Sequence, residues 1–424
     1  MNESYRRPHR HGRRRRRGAG ARIALFCVLA ACLVGASVFA LVKSAGPSAA
    51  QVSGQSAASQ SAAASPAASV TQAPQPTVST VRFSASGDDL IHDGLYLMAR
   101  DRAGGNGYDF SHLYEQVAPF YQNFDVNWVN QETLVTDELP PSGYPCFCSP
   151  GNVAHSLYDI GFRVFSLSNN HSYDQGAVGI SDTLRFWESM PADTVSVGLY
   201  RGAADYTNIR TQEVNGIRIA YLSYAEHTNG IPTPEGAEAS VILTSQTDVI
   251  QQQIQLARSE ADVVVACVHW GTENSHEVND AQRTLGQQMA DWGADVIIGT
   301  HPHVVQPVEF LTAAGTGKRV PIFYSLGNFV SLQQQEDNLV GIIGTFVITK
   351  TTQPDGTSTV TVDSVHAVPI VMYYNSSFTE GQVYLLQNYT DALAAQQANR
   401  AVTPAFAAQL VQTYISSDVL QLAA

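Results

Sequence analysis

The sequence predicts an α/β domain, and three observations carry that prediction. From residue 81 onward, short apolar runs of strand length alternate with longer helix-like stretches. Five of the runs, Val81 to Ala85, Phe124 to Val129, Val164 to Leu167, Val263 to Val268 and Val296 to Ile298, end on patches of Asp, Glu, Asn and His. Polar residues set just after buried strands collect along one edge of an open sheet, where ligands bind.

The chain opens on a basic tail, residues 1–22, that includes Arg13 to Arg17. Residues 23–42 then form an uncharged run of about twenty residues, enough to cross a bilayer core as a helix. Lys43 is the lone base after it, so the positive-inside rule puts the N-terminus in the cytoplasm and the rest outside. A cleaved signal peptide is the competing reading, with Val38-Phe39-Ala40 as a small-residue cleavage site, although signal cores are usually shorter. Both readings export the domain. Residues 43–80 are almost entirely Ala, Ser, Gln, Pro, Thr, Val and Gly, a composition too poor in apolar bulk to offset chain entropy. We expect a disordered tether with a root-mean-square reach of roughly 35 Å.

Further strands are expected at Val195 to Leu199, Ile217 to Ser223, Ile322 to Ser325, Gly341 to Thr349 and Thr359 to Val365. Helices are expected near His112–Tyr121, Gly151–Ile160, Ile180–Met190, Ser245–Ala261 and Asp280–Trp292. The main domain is read as residues 81–375, followed by a Gln/Ala-rich helical extension over 376–424. Beyond residue 43, 14 bases face 36 acids, a balance that repels phosphate backbones and argues against nucleic acid as a partner. Cys146 and Cys148 are the one close cysteine pair outside the apolar segment. They read as small loop residues, with a strained disulfide or a metal site as alternatives. No glycine-rich dinucleotide loop follows the first strand, and neither a G-x-S-x-G elbow nor an H-E-x-x-H pattern occurs.

The polar patches are Gly87-Asp88-Asp89-Leu90-Ile91-His92, Asn130-Gln131-Glu132, Asn169-Asn170-His171, His269-Trp270-Gly271 and His301-Pro302-His303. Mixed carboxylate, amide and imidazole donors at several strand ends suit a divalent-metal site. Each also has a plainer explanation: Asp88 as a helix cap, Glu132 as a solvated loop acid, a lone histidine as a packed core ring. With GADVIIGTHPHVVQPVE and YSLGNF added, the order of motifs over about residues 81 to 375 resembles the CapA family, named for poly-γ-glutamate capsule biosynthesis.

That family resembles a branch of the calcineurin-like metallophosphatases, which implies an αββα sandwich with two divalent ions of Mn, Fe or Zn type between loops at strand ends. The resemblance implies Asp88, Glu132, Asn170, His269, His301 and His303 as metal ligands and His171 as general acid toward the leaving group. His92, Asn169, Asp174, Glu273, Glu309 and Asn328 are expected to support these groups or to meet substrate. Two departures stand out. Leu90 occupies the place where the phosphatases have a histidine, and the acid that follows the Asn-His pair comes three residues on, at Asp174, rather than next to it.

The expected protein is therefore a single-pass, membrane-anchored extracytoplasmic hydrolase or transferase for phosphoester or amide-type bonds, working on an anionic cell-surface polymer such as poly-γ-glutamate. The alternative is a non-catalytic metal-binding subunit of a polymer synthesis or export complex, with other membrane subunits as partners. The anchor has its own check. Mass spectrometry of the membrane fraction should recover the peptide containing Lys43 still joined to the apolar run, and a mature chain beginning at Leu41 would establish cleavage instead.

Overall fold

The computed structural model describes residues 74–423; the expected tail, membrane segment and most of the tether lie outside them. Among the described residues no helix is long and apolar enough to cross a membrane. The first strand, β1 (Thr77–Asp89), starts within the expected tether, because Thr77 to Ala85 pair antiparallel with a later strand. Three parallel strands follow it: β2 (Val126–Gln131), β3 (Val164–Ser166) and β4 (Val195–Val197). The crossovers carry α1 (Asp93–Arg102), α2 (Ser111–Tyr114), α3 (Ala118–Tyr121), α4 (Asn152–Asp159) and α5 (Gly176–Ser189). The single helix expected over His112–Tyr121 is instead two short turns. Pro119 lies in the first turn of α3, where it is tolerated, whereas in a continuous helix it would remove a hydrogen bond and clash one turn back.

A second sheet is built from β5 (Arg210–Val214), β6 (Ile217–Ala225), β7 (Val263–His269), β8 (Val296–Thr300), β9 (Val308–Thr312) and β10 (Arg319–Phe323), in the order β5-β6-β7-β8-β10-β9. Its crossover helices are α6 (Thr247–Glu260) and α7 (Asp280–Trp292). The latter starts with a reciprocal capping box between Asn279 and Gln282.

The chain then returns to the first sheet with β11 (Asn328–Val330), β12 (Val340–Thr352), β13 (Ser358–Tyr374) and β14 (Gly381–Leu385). The order there is β14-β13-β12-β1-β2-β3-β4, with β11 beside the end of β1. The segment after residue 376, expected to be helical, thus opens with a strand. Its helices, α8 (Asp391–Ala394) and α9 (Pro404–Tyr414), come afterwards, and Leu420 bridges to Ala367. The sheet domain therefore runs well past residue 375.

The two sheets lie face to face. Along β6, β7 and β8 the side chains alternate between two cores. Ile219, Tyr221, Val265, Cys267 and Ile298 point between the sheets, while Leu222, Tyr224, Ala266, Val268 and Ile297 point at α6 and α7. Phe83 on β1 stacks on Phe346 at 4.6 Å and faces Tyr221 of the other sheet at 6.4 Å, and Ser166 bonds Ser223 across the gap at 2.7 Å. On the outer face of the first sheet Ser86 bonds the Tyr121 hydroxyl of α3. Phe83→Ala empties the centre of this contact and is expected to cost about 3–5 kcal/mol in denaturant unfolding. A loss below about 1 kcal/mol would show that the sheets do not depend on it.

Candidate metal centre

The parallel strands of both sheets end on the same side, so their C-terminal residues converge. Gly87 makes the closest approach possible. Asp88 N donates to Gly327 O, and a Cβ at position 87 would lie 1.8 Å from that same oxygen. The Ser325-Leu326-Gly327-Asn328 loop is held by Ser325, whose hydroxyl donates to Val304 O and accepts from Gly327 N. β1 thereby delivers Asp88, β2 delivers Glu132, β7 delivers His269, and the loop after β8 delivers His301 and His303.

These residues form three overlapping groups whose ligand atoms lie within 4.8 Å of one another: Glu132 with His269 and His301, Asp88 with Glu132 and His303, and Glu273 with His301 and His303. His269 turns Nδ1 to the Thr300 hydroxyl at 3.0 Å and Nε2 inward, 3.0 Å from Asn170 Oδ1, 3.1 Å from His301 Nδ1 and 3.6 Å from Glu132 Oε1. His303 places Nδ1 3.0 Å from Asn328 Oδ1, which leaves Nε2 for the cluster, 3.7 Å from Glu132 Oε1. Asp88 accepts from Asn130 Nδ2 at 2.7 Å and from His301 N at 3.2 Å. His301 and His303 aim their rings from positive φ, 99° and 60°, a backbone state unfavourable for residues with a Cβ. Simple continuation of β8 would not direct both rings to this point.

Metal ions fit this donor set on an observation of the protein itself. Glu132 is fully buried and neither of its carboxylate oxygens has a hydrogen-bond partner. Burial, reinforced by the neighbouring Asp88 carboxylate, pushes Glu132 well above the usual carboxylate range. Burial and the adjacent imidazoles drive His269 far below its ordinary value and His301 down to about 2. Burial also disfavours charge on His303, yet Glu132 and Asp88 outweigh it and raise this ring to about 9. Divalent cations among these groups would keep the carboxylates ionised and the imidazoles neutral.

Asn170 and His171 follow β3 in a tight turn pinned by Asn169, whose side chain donates to Gln131 O and accepts from His171 N. Asp174, three residues on, is brought back by the turn. Its Oδ2 lies 2.7 Å from His171 Nδ1 and also accepts from Phe147 N. The displaced acid thus still holds the ring, and Phe147 packs edge-on against it at 4.7 Å.

Three readings left open by the sequence are placed outside the cluster. His92, expected to support the ligands or to meet substrate, lies outside the cluster of candidate ligands. Its Nδ1 lies 3.1 Å from Leu90 O, and its ring rests on Phe147. Burial lowers His92 to about 4. Glu309 lies on β9, ion-paired with Arg283, and takes no part. Cys146 and Cys148 are free thiols, one exposed and one buried, in keeping with the reading as small loop residues, and no disulfide joins them.

Sequence reasoning named Asn130 in its patch but gave it no role, although it lies in a fully buried strand two residues before Glu132. It also passed over Glu226-His227-Thr228-Asn229, which follows β6 just as the other patches follow their strands. A brace from the C-terminal helix was missed as well. Tyr414 stacks on His276 at 3.8 Å; His276 reaches Val305 O and Asp337, and Asn338 links Asn274 to His303 O.

Two facing sheets that deliver carboxylates, an amide and histidines to one buried point define a metallophosphatase-like α/β protein. Residues 82–333 match the family described as Bacterial capsule synthesis protein PGA_cap, and the chain belongs to that family. It is similar to the PGA biosynthesis protein CapA of Bacillus subtilis, 38% identical over 41% of this chain and 44% of the relative. It is also similar to the Capsule biosynthesis protein CapA of Bacillus anthracis, 33% identical over 53% and 55%. The chain spans about half the length of these curated relatives. Among solved structures, Haemophilus influenzae NAD nucleotidase overlaps 81% of this chain and 57% of its own at a TM-score of 0.40 and 14% identity.

The unpartnered Glu132 carboxylate yields a test. With metal removed, Glu132→Gln should melt at or above the wild-type temperature, because a neutral amide is cheaper to bury there. On addition of Mn or Zn the wild type should gain several degrees and the variant little. Equal gains in the two would show that Glu132 is not a ligand.

Proposed function

We propose that this chain is a metal-dependent hydrolase or transferase that acts, from an anchor in the cell membrane, on an anionic cell-surface polymer of the poly-γ-glutamate type. The polymer class is suggested by the family and by the names of the Bacillus relatives. The chemistry rests on one observation above the others: a buried carboxylate with two unpartnered oxygens among three histidines. Asp88, Glu132, Asn170, His269, His301 and His303 would hold two divalent ions, with Glu273 at the outer edge. Such ions, when bound, supply a polarised water and neutralise charge on the attacked group.

The chain's own residues supply the rest. Asp174 holds Nδ1 of His171, so the ring keeps one orientation and Nε2 remains to give a proton to the leaving group. Phe147 and the tight packing around His171 limit water on that side. Asn130, Thr300 and Asn328 fix the directions of Asp88, His269 and His303.

A second reading, a non-catalytic metal-binding subunit of a polymer synthesis or export complex, draws on Leu90, a buried apolar side chain where the phosphatases carry a histidine. The two readings separate in one pair of variants. On the enzyme reading His171→Ala keeps its metal and loses turnover on γ-glutamyl or phosphoester substrates by roughly 10²–10⁴. His269→Ala loses both. Unchanged turnover in His171→Ala would remove the acid role. Polymer production that persists in His171→Ala and His269→Ala wherever the fold survives would favour the subunit.

A further inference from the structure

The loop after β6 belongs to none of the motifs assigned above, yet it touches the centre on the side of His171. Its start is fixed to the ligand-bearing end of β7: Glu226 N donates to His269 O at 2.8 Å, and Glu226 Oε2 accepts from Gly271 N at 2.7 Å. Its far side turns through positive φ at Asn229 (52°) and Gly230 (73°), with the Thr228 hydroxyl donating to Ile231 O. The loop is therefore a fixed wall of the site.

We propose that Glu226–Gly230 is the substrate-side wall of the centre, where Asn229 positions the Asn170 amide and His227 presents an N–H to an oxyanion of the substrate. This rests on the metal-dependent reading above. An amide ligates a cation only through its oxygen, so something must fix which end faces the cluster. Asn170 Nδ2 donates to Asn229 Oδ1 at 3.3 Å, which turns Asn170 Oδ1 inward, 3.0 Å from His269 Nε2. Asn229 Nδ2 in turn lies 3.5 Å from His171 Nδ1.

His227 is exposed, and its ring stands perpendicular to that of His301 with centroids 5.0 Å apart. Its Nδ1 accepts from Asn229 N at 3.3 Å, so in the neutral ring the proton sits on Nε2. It is not in any of the three ligand groups. A donor fixed at the edge of a cation site, outside the coordinating set, is placed to receive the anionic end of a bound molecule, a phosphoryl or a carboxylate oxygen.

The test uses the metal-loaded full chain and isothermal titration with two probes, inorganic phosphate and a short γ-linked glutamate oligomer. The wild type should bind at least one of them, and which one identifies the oxyanion. His227→Ala should weaken that binding about five- to tenfold with metal content unchanged, and His227→Gln, which keeps an N–H donor, should recover most of it. In a separate metal titration Asn229→Ala should lose about tenfold in affinity, the scale of an outer ligand support. Asn229→Asp, which keeps the acceptor for Asn170, should not. Wild-type anion binding in His227→Ala, wild-type metal affinity in Asn229→Ala, or a metal-loaded wild type that binds neither probe overturns the proposal. A wild type that takes up no metal overturns the reading beneath it as well, and metal analysis tells the two failures apart.

Discussion

An ionised carboxylate with no donor to meet it is among the most expensive things a protein can bury, costing several kcal/mol even after relaxation. Glu132, at the end of β2, is a buried carboxylate without a donor, and burial beside Asp88 disfavours its ionised form unless a cation is present. Asp88 beside it compounds the cost, and the inward nitrogens of His269 and His303 approach it without satisfying it. A cation-binding role accounts for the whole arrangement. The same groups that are costly together become ligands once positive charge is placed among them.

The fold supplies this arrangement through strand direction. Parallel strands in two facing sheets all finish at one end, so residues more than two hundred positions apart, such as Asp88 and His301, meet without long loops. Helices α6 and α7 cover the outer face of the second sheet. Positive φ at His301 and His303 is the local cost of precise aim, and the braces around them carry it: Asn328 on the His303 ring, Asn338 on its carbonyl, and the stack of Tyr414 on His276 behind the loop. The C-terminal segment, which reads from composition as an appendage, is in this sense part of the site.

What was legible in the sequence followed from hydrophobic contrast. Asp88, Glu132, Asn170 and His269 stand out because each follows a short apolar or alternating run of strand length. The less contrasted elements were not legible. β5 and β9 are half exposed, β14 is five residues long, and β1 begins in a tract without a charged or bulky residue. Sequence proximity leaves the direction of His92 open; two residues after Leu90, its ring rests on Phe147. The same holds for His227. Its patch carries the same strand-end pattern as the others, but only the structure reveals the ring of His301 beside it. The offset of Asp174 from His171 is resolved in the same way, since a turn of the backbone does what adjacency does elsewhere.

The central claim is that residues from both sheets make one divalent-metal centre. Elemental analysis of the purified full chain, stripped with chelator, reloaded with Mn or Zn and freed of excess ion, tests it most directly. The account predicts bound metal in stoichiometric amount, up to two ions per chain, and its loss in His301→Ala. A correctly folded wild type that stays free of metal at neutral pH after reloading would contradict it.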